Sequence, residues 1–133
     1  MEFLRNLALF AGRIMVAGVF IYDAWLLVRF PEANAAYMEL YGIPGSLAWP
    51  TAAFQFIGGV FLVVGFWTRL TALAFAGFCI ATAVIFHADP SDTEKLVQFG
   101  KDFALAGGFL FLAVAGAGSW SVDGYRARDD EDE

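Results

Sequence analysis

The chain has 133 residues, 59% of them hydrophobic and only 17% charged, with a formal net charge of −6. That length allows one domain. A soluble domain carries about 45–50% apolar and about 25% charged residues, so a water-soluble core is excluded as the place for fifteen Phe, and lipid is the solvent that accommodates them.

The first apolar segment, Leu7–Val28, is near the roughly 20 residues that cross a bilayer as a helix. Arg13 interrupts it and no small-residue cleavage site follows, so it reads as a span rather than a cleaved leader. Arg13 lies on the inner half, where it is expected to extend toward headgroups or a lipid phosphate. Asp23, flanked by Tyr22 and Trp25, lies on the outer half. An acid there is costly and is expected to face the bundle interior. The connection "RFPEANAAYMELYGIPGSLAWP" (29–50) is broken by Pro31, Pro44 and Pro50, with room for a short amphipathic helix over Glu32–Tyr41 at the interface.

The second segment, Thr51–Trp67, sets Gln55 on a face with Gly59, Leu62 and Phe66. Thr68-Arg69 makes a tight turn into the third, Leu70–Phe86, where Ala72, Ala76, Cys79 and Ala83 form a small-residue stripe suited to close helix contact. His87, the only histidine, falls in the same sector and is expected to meet Gln55 or one of the nearby acids, Asp23 or Asp102. One Cys and one His make neither a disulfide nor a metal ligand set. The loop "HADPSDTEKLVQFGKD" (87–102) has Asp89 before Pro90 and a Ser91-to-Glu94 capping box. The fourth segment, Phe103–Ala117, borrows from Gly100–Asp102, with Lys101 on a face shared by Ala104, Gly108 and Ala115 and expected to point inward. Residues 124–133, ending in Asp129–Glu133, read as a disordered acidic tail beyond a transmembrane domain of residues 1–123.

The architecture expected is an all-α, integral membrane four-helix bundle with both termini on one side. Arg5, Arg69, Arg126 and Arg128 lie on that side against Arg29, Lys95 and Lys101 opposite, which assigns the termini to the cytoplasm of a bacterial-type plasma membrane. Asp23, Gln55, His87, Lys101 and Asp102 then converge on the outer leaflet as a polar ligand pocket, with Tyr22 and Trp25 as its walls. A glutamate at position 55 is expected to be tolerated, offset by Lys101 or His87. There is no basic stripe for nucleic acid, and no catalytic residue stands out. Glycine-lined faces make a homo-oligomer plausible.

The stretches "QFIGGVFLVVGFWTRLTALAFAGF" and "KDFALAGGFLFLAVAGAGSWSVD" resemble the DoxX family of small four-helix membrane proteins. The resemblance rests on Gly58-Gly59, Gly65, Thr68-Arg69-Leu70, His87, Lys101, Gly107-Gly108, Gly116, Gly118, Ser121 and Asp123, with Arg13, Gly18 and Phe20 in the first helix. Of these, Arg13, Gly58, Gly59, Arg69, Gly107 and Gly108 are expected to be structural. Where the family usually has Glu this chain has Gln55, and Arg29 stands for a lysine. The resemblance implies an accessory or quinone-binding subunit of a membrane oxidoreductase, with no covalent cofactor and with electrons supplied by a partner subunit. The competing expectation is a non-catalytic scaffold or small-molecule carrier.

Overall fold

The computed structural model describes residues 1–133, which form helices and turns with no strand. The order is α1 (Glu2–Arg29), α2 (Pro31–Glu39), a single 3-10 turn (Gly45–Leu47), α3 (Ala48–Val64), α4 (Thr68–Phe86), α5 (Thr93–Ala115) and α6 (Val122–Asp132). Four of these, counting the 3-10 turn with α3, are long and apolar enough to cross a membrane. Only 25 of the 133 residues are buried, so most apolar side chains point outward; Phe111 and Val114 are 80% and 79% exposed. That inversion suits a lipid environment.

Backbone chemistry sets the ends. Phe30 precedes a proline, leaves the helical region, and lets Pro31 open α2 at a position where its missing N–H costs nothing. α3 stops at Gly65 in the left-handed region (φ 72°), and α5 at Gly116 (φ 75°). Between α3 and α4, Trp67 also takes a positive φ of 46°, which a residue with a Cβ adopts only under constraint. Asp123 supplies that constraint: its carboxylate accepts from the backbone N–H of Trp67 at 3.0 Å and of Thr68 at 2.9 Å, capping α4.

The four spans form two hairpins, α1 with α3 and α4 with α5. Inside each, small residues let the backbones approach. Gly59 is the tightest case, since a Cβ there would lie 2.6 Å from Ile21 Cγ1 of α1. In the second hairpin Ala72, Ala76, Ala83 and Ala106 are buried. Between hairpins, rings fill the wider gap: Phe20 lies 4.6 Å from Phe75 and 5.5 Å from Phe109, and Phe54 lies 4.9 Å from Phe75, centroid to centroid. Gly58 belongs to this seam, because a Cβ there would sit 2.6 Å from the Phe75 ring. At the end of the bundle that holds the termini, three hydrogen bonds cross between hairpins. Asn6 accepts from Ser119 N, Arg13 donates to Trp120 O, and Asp123 N donates to Gly65 O.

Several expectations need correction. The helix cap before the fourth span is Asp92, whose side chain accepts from Glu94 N and Lys95 N; Ser91 instead bonds Asp89. That cap starts α5 ten residues before Phe103. The acidic tail is helical, because Ser121 Oγ accepts from Gly124 N at 2.9 Å and nucleates α6. Gly107 and Gly108 make no close approach, with nothing within 4 Å of a Cβ built at either. Arg13 does not reach for headgroups. It is fully buried and donates to the carbonyls of Leu62 and Val63, both at 2.9 Å, and of Trp120 at 2.5 Å. Arg69 does the same for α5, donating to Ala113 O at 3.1 Å and Val114 O at 2.6 Å. Each hairpin therefore has an arginine on its first helix closing the carbonyl end of its second, where a cation also meets the helix dipole favourably.

Candidate functional site

The polar residues gather at the end away from the termini. There each hairpin carries one polar tie. In the first, Gln55 Nε2 donates to Asp23 Oδ2 at 3.1 Å, joining α3 to α1. In the second, His87 Nδ1 lies 2.6 Å from Asp102 Oδ2, joining the end of α4 to α5. Gln98, one turn before Asp102, donates to its other oxygen at 3.3 Å. Gln55 is 2% exposed and Asp102 is 6% exposed, whereas Asp23 keeps open surface.

Two cavities meet at these ties. The larger, of about 360 Å³, is lined by Asp23, Asn34, Tyr37, Thr51, Gln55, Phe78, Thr82 and His87, with apolar neighbours from α2 and α4. The smaller, of about 280 Å³, shares Asp23, Phe78, Thr82 and His87 and continues past Cys79 to Gln98 and Asp102. Asp23 and His87 thus stand on both. Beside the Asp23 bond, Gln55 Oε1 is buried and has no hydrogen-bond partner.

α2 covers the larger cavity. Tyr37 stacks on Phe86 at 5.7 Å and Tyr41 meets the same ring edge-on at 5.1 Å, clasping the end of α4. Lys95 of α5 lies 4.9 Å over the Tyr41 ring. Its ammonium holds the Tyr41 hydroxyl below its usual range, while burial, aided by Tyr41, pushes that of Tyr37 up.

Five polar residues were expected to converge, and the structure brings four together as two pairs. Lys101 stays apart. The inward face of α5 is Asp102, Ala106 and Phe109, spaced i, i+4, i+7, and Lys101, Ala104, Gly108 and Ala115 are all exposed. Lys101 therefore does not neutralise Asp23, and the group set against Gln55 is an acid. The expected tolerance of glutamate at position 55 loses its support. Tyr22 and Trp25 are exposed and stack on each other at 5.8 Å on the outer face, so they do not wall the cavity. Tyr37, Phe78 and Phe86 supply its rings instead. Sequence reading missed Asn34, Thr51, Thr82 and Gln98. Phase could have found two of them, since Thr82 follows Phe78 by four residues and Gln98 precedes Asp102 by four.

Comparison with known proteins places this geometry in context. The family model described as DoxX matches residues 8–88. The inner membrane protein YqjF of Escherichia coli K12 is 34% identical over 123 residues, covering 92% of this chain and 95% of its own. The inner membrane protein YphA of the same organism is 29% identical over 126 residues, covering 90% of each chain. No solved structure matches the chain.

Proposed function

The chain belongs to the DoxX family, and from that premise we propose that it is an accessory, quinone-binding subunit of a membrane oxidoreductase in the inner membrane. The observation that carries this is the cavity of about 360 Å³ in which the polar residues Asp23, Gln55 and His87 lie beside aromatic rings. The cavity fits a substituted ring: Tyr37, Phe78 and Phe86 offer faces, and Gln55, Asp23 and His87 offer polar contacts. The ligand would supply the electron-carrying chemistry, exchanged with a partner subunit. The chain's own part is to hold it and exchange protons, for which a histidine paired with Asp102 near the bundle end is suited.

Protein purified in mild detergent should retain quinone approaching one molecule per chain, measured by chromatography of its extracted lipid. His87→Ala should remain folded, since Gln98 still bonds Asp102 and rings hold the hairpins together, and should lose most of that quinone. Quinone no higher than in an unrelated membrane protein purified alongside would favour the scaffold reading, in which the Asp23–Gln55 and His87–Asp102 pairs only tie helices together.

The orientation proposed puts both termini in the cytoplasm, from Arg5, Arg69, Arg126 and Arg128 on the terminal side. The cavity then opens toward the outer leaflet. A reporter active only in the cytoplasm should work when fused after Glu133. Activity from a periplasm-dependent reporter at the same point would reverse the assignment.

A further inference from the structure

A third cavity, of about 850 Å³, opens at the other end of the bundle, where the termini lie. Three helices each bring one arginine to it: Arg5 near the start of α1, Arg69 in the first turn of α4, and Arg128 in α6. Arg69 is held in place by its Nη1, which donates to Ala113 O and Val114 O. Gly116 leaves room for that guanidinium, since a Cβ there would lie 3.1 Å from Nη2. Arg128 donates through Nη1 to Ser119 O at 3.3 Å. Each guanidinium carries five N–H groups, so these bonds use a small part of what the three offer.

Three acids share the rim, Glu2, Asp123 and Glu131. Asp123 is committed to the backbone N–H groups of Trp67 and Thr68. Glu2 and Glu131 are exposed and pair with none of the arginines, since the one ion pair in the chain is His87 with Asp102 at the far end. Arginines gathered on one cavity without ion-pair partners repel one another, and an anion among them offsets that repulsion. The planar fork of arginine matches phosphate oxygens in pairs.

Depth in the bilayer says what carries the phosphate. The spans α3 and α5 end here and α4 begins here, so the cavity lies where apolar helix meets the headgroup layer. Trp67 and Leu70, 54% and 63% exposed, continue its wall onto the outward apolar surface of α4. We infer that this cavity binds a phosphate group carried by an anionic phospholipid of the leaflet on the terminal side. The phosphate sits among Arg5, Arg69 and Arg128, and an acyl chain runs along Trp67 and Leu70. Basic pockets beside membrane helices recognise anionic headgroups in this way. The site is separate from the cavity at Asp23 and His87 and does not rest on the quinone reading.

Microscale thermophoresis of the purified protein in a non-ionic detergent tests this with three probes: a short-chain phosphatidylglycerol, the matching phosphatidylcholine, and inorganic phosphate. Phosphatidylglycerol should bind at least about tenfold more tightly than either of the others. Arg5→Gln combined with Arg128→Gln, both at exposed positions, should weaken that binding about tenfold. Arg29→Gln combined with Lys101→Gln removes the same charge at the far end and should weaken it by less than about threefold. The comparison of probes uses the unaltered protein and needs no variant to fold. Equal binding of the two lipids overturns the site, as does an equal loss from the two double variants, which net charge alone would produce. Inorganic phosphate that binds as tightly as phosphatidylglycerol upholds the phosphate site and overturns the lipid as its source. Binding by none of the three overturns both.

Discussion

Arg13→Leu is expected to leave no folded protein. The guanidinium is fully buried and donates to three carbonyls, those of Leu62 and Val63 at the end of α3 and that of Trp120 beyond α5. Removing it strands the buried Leu62 carbonyl and the two part-buried ones, at about 1–3 kcal/mol each. The total, on the order of 5 kcal/mol, reaches the lower end of the stability of a whole domain. The charge contributes as well, set against the negative end of the α3 dipole and within the field of Asp123. Lysine is a poor substitute, since a single ammonium cannot span three carbonyls as a planar fork does. Fluorescence-detected size exclusion in detergent should show no monodisperse peak for Arg13→Leu and a reduced peak for Arg13→Lys. A wild-type peak and melting temperature for Arg13→Leu would show that the bundle does not depend on this group.

Gln55→Glu should be the most damaging change at the cavity that leaves side-chain volume almost untouched. The wild-type amide sits 3.1 Å from Asp23 Oδ2, so a carboxylate in its place opposes another carboxylate. Gln55 is buried and Lys101 points away, leaving no lysine or arginine on the cavity wall to offset the repulsion. Thermal melts at neutral pH should show a loss of several degrees for a penalty of a few kcal/mol. Asp23→Asn combined with Gln55→Glu restores one amide facing one carboxylate and should recover most of the loss. Failure of the double variant to recover, with the single variant equally destabilised, would mean that size rather than charge is at fault.

The four spans were legible because apolar runs of bilayer length have few alternative readings, and the break at Thr68-Arg69 is too short for anything but a turn. Asp23, Gln55, His87 and Asp102 were legible too, since polar side chains in such runs stand out and helix rise fixes their depth. The phase of α5 was not. Taking small residues as the mark of a contact face puts Lys101, Ala104, Gly108 and Ala115 inside, whereas the buried face is Asp102, Ala106 and Phe109. Arg13 was misread for a different reason. Its partners are backbone carbonyls 49, 50 and 107 residues away, and a carbonyl leaves no mark in residue type. The helix over Val122–Asp132 was hidden by composition, since its start is decided by one Ser121 hydroxyl rather than by the acidic run that follows.

The distribution of bonds between the hairpins has a mechanical consequence. Asn6 with Ser119, Arg13 with Trp120 and Gly65 with Asp123 all join them at the terminal end. At the far end both polar ties close within a single hairpin, and what crosses is rings, with Lys95 over Tyr41. Ring contacts slip and re-form at little cost, while directed bonds in a water-poor interior do not. The molecule is built as a pair of tweezers. Separation of the hairpins is therefore expected at the end that carries Asp23 and His87, with Arg13 at the end that stays joined.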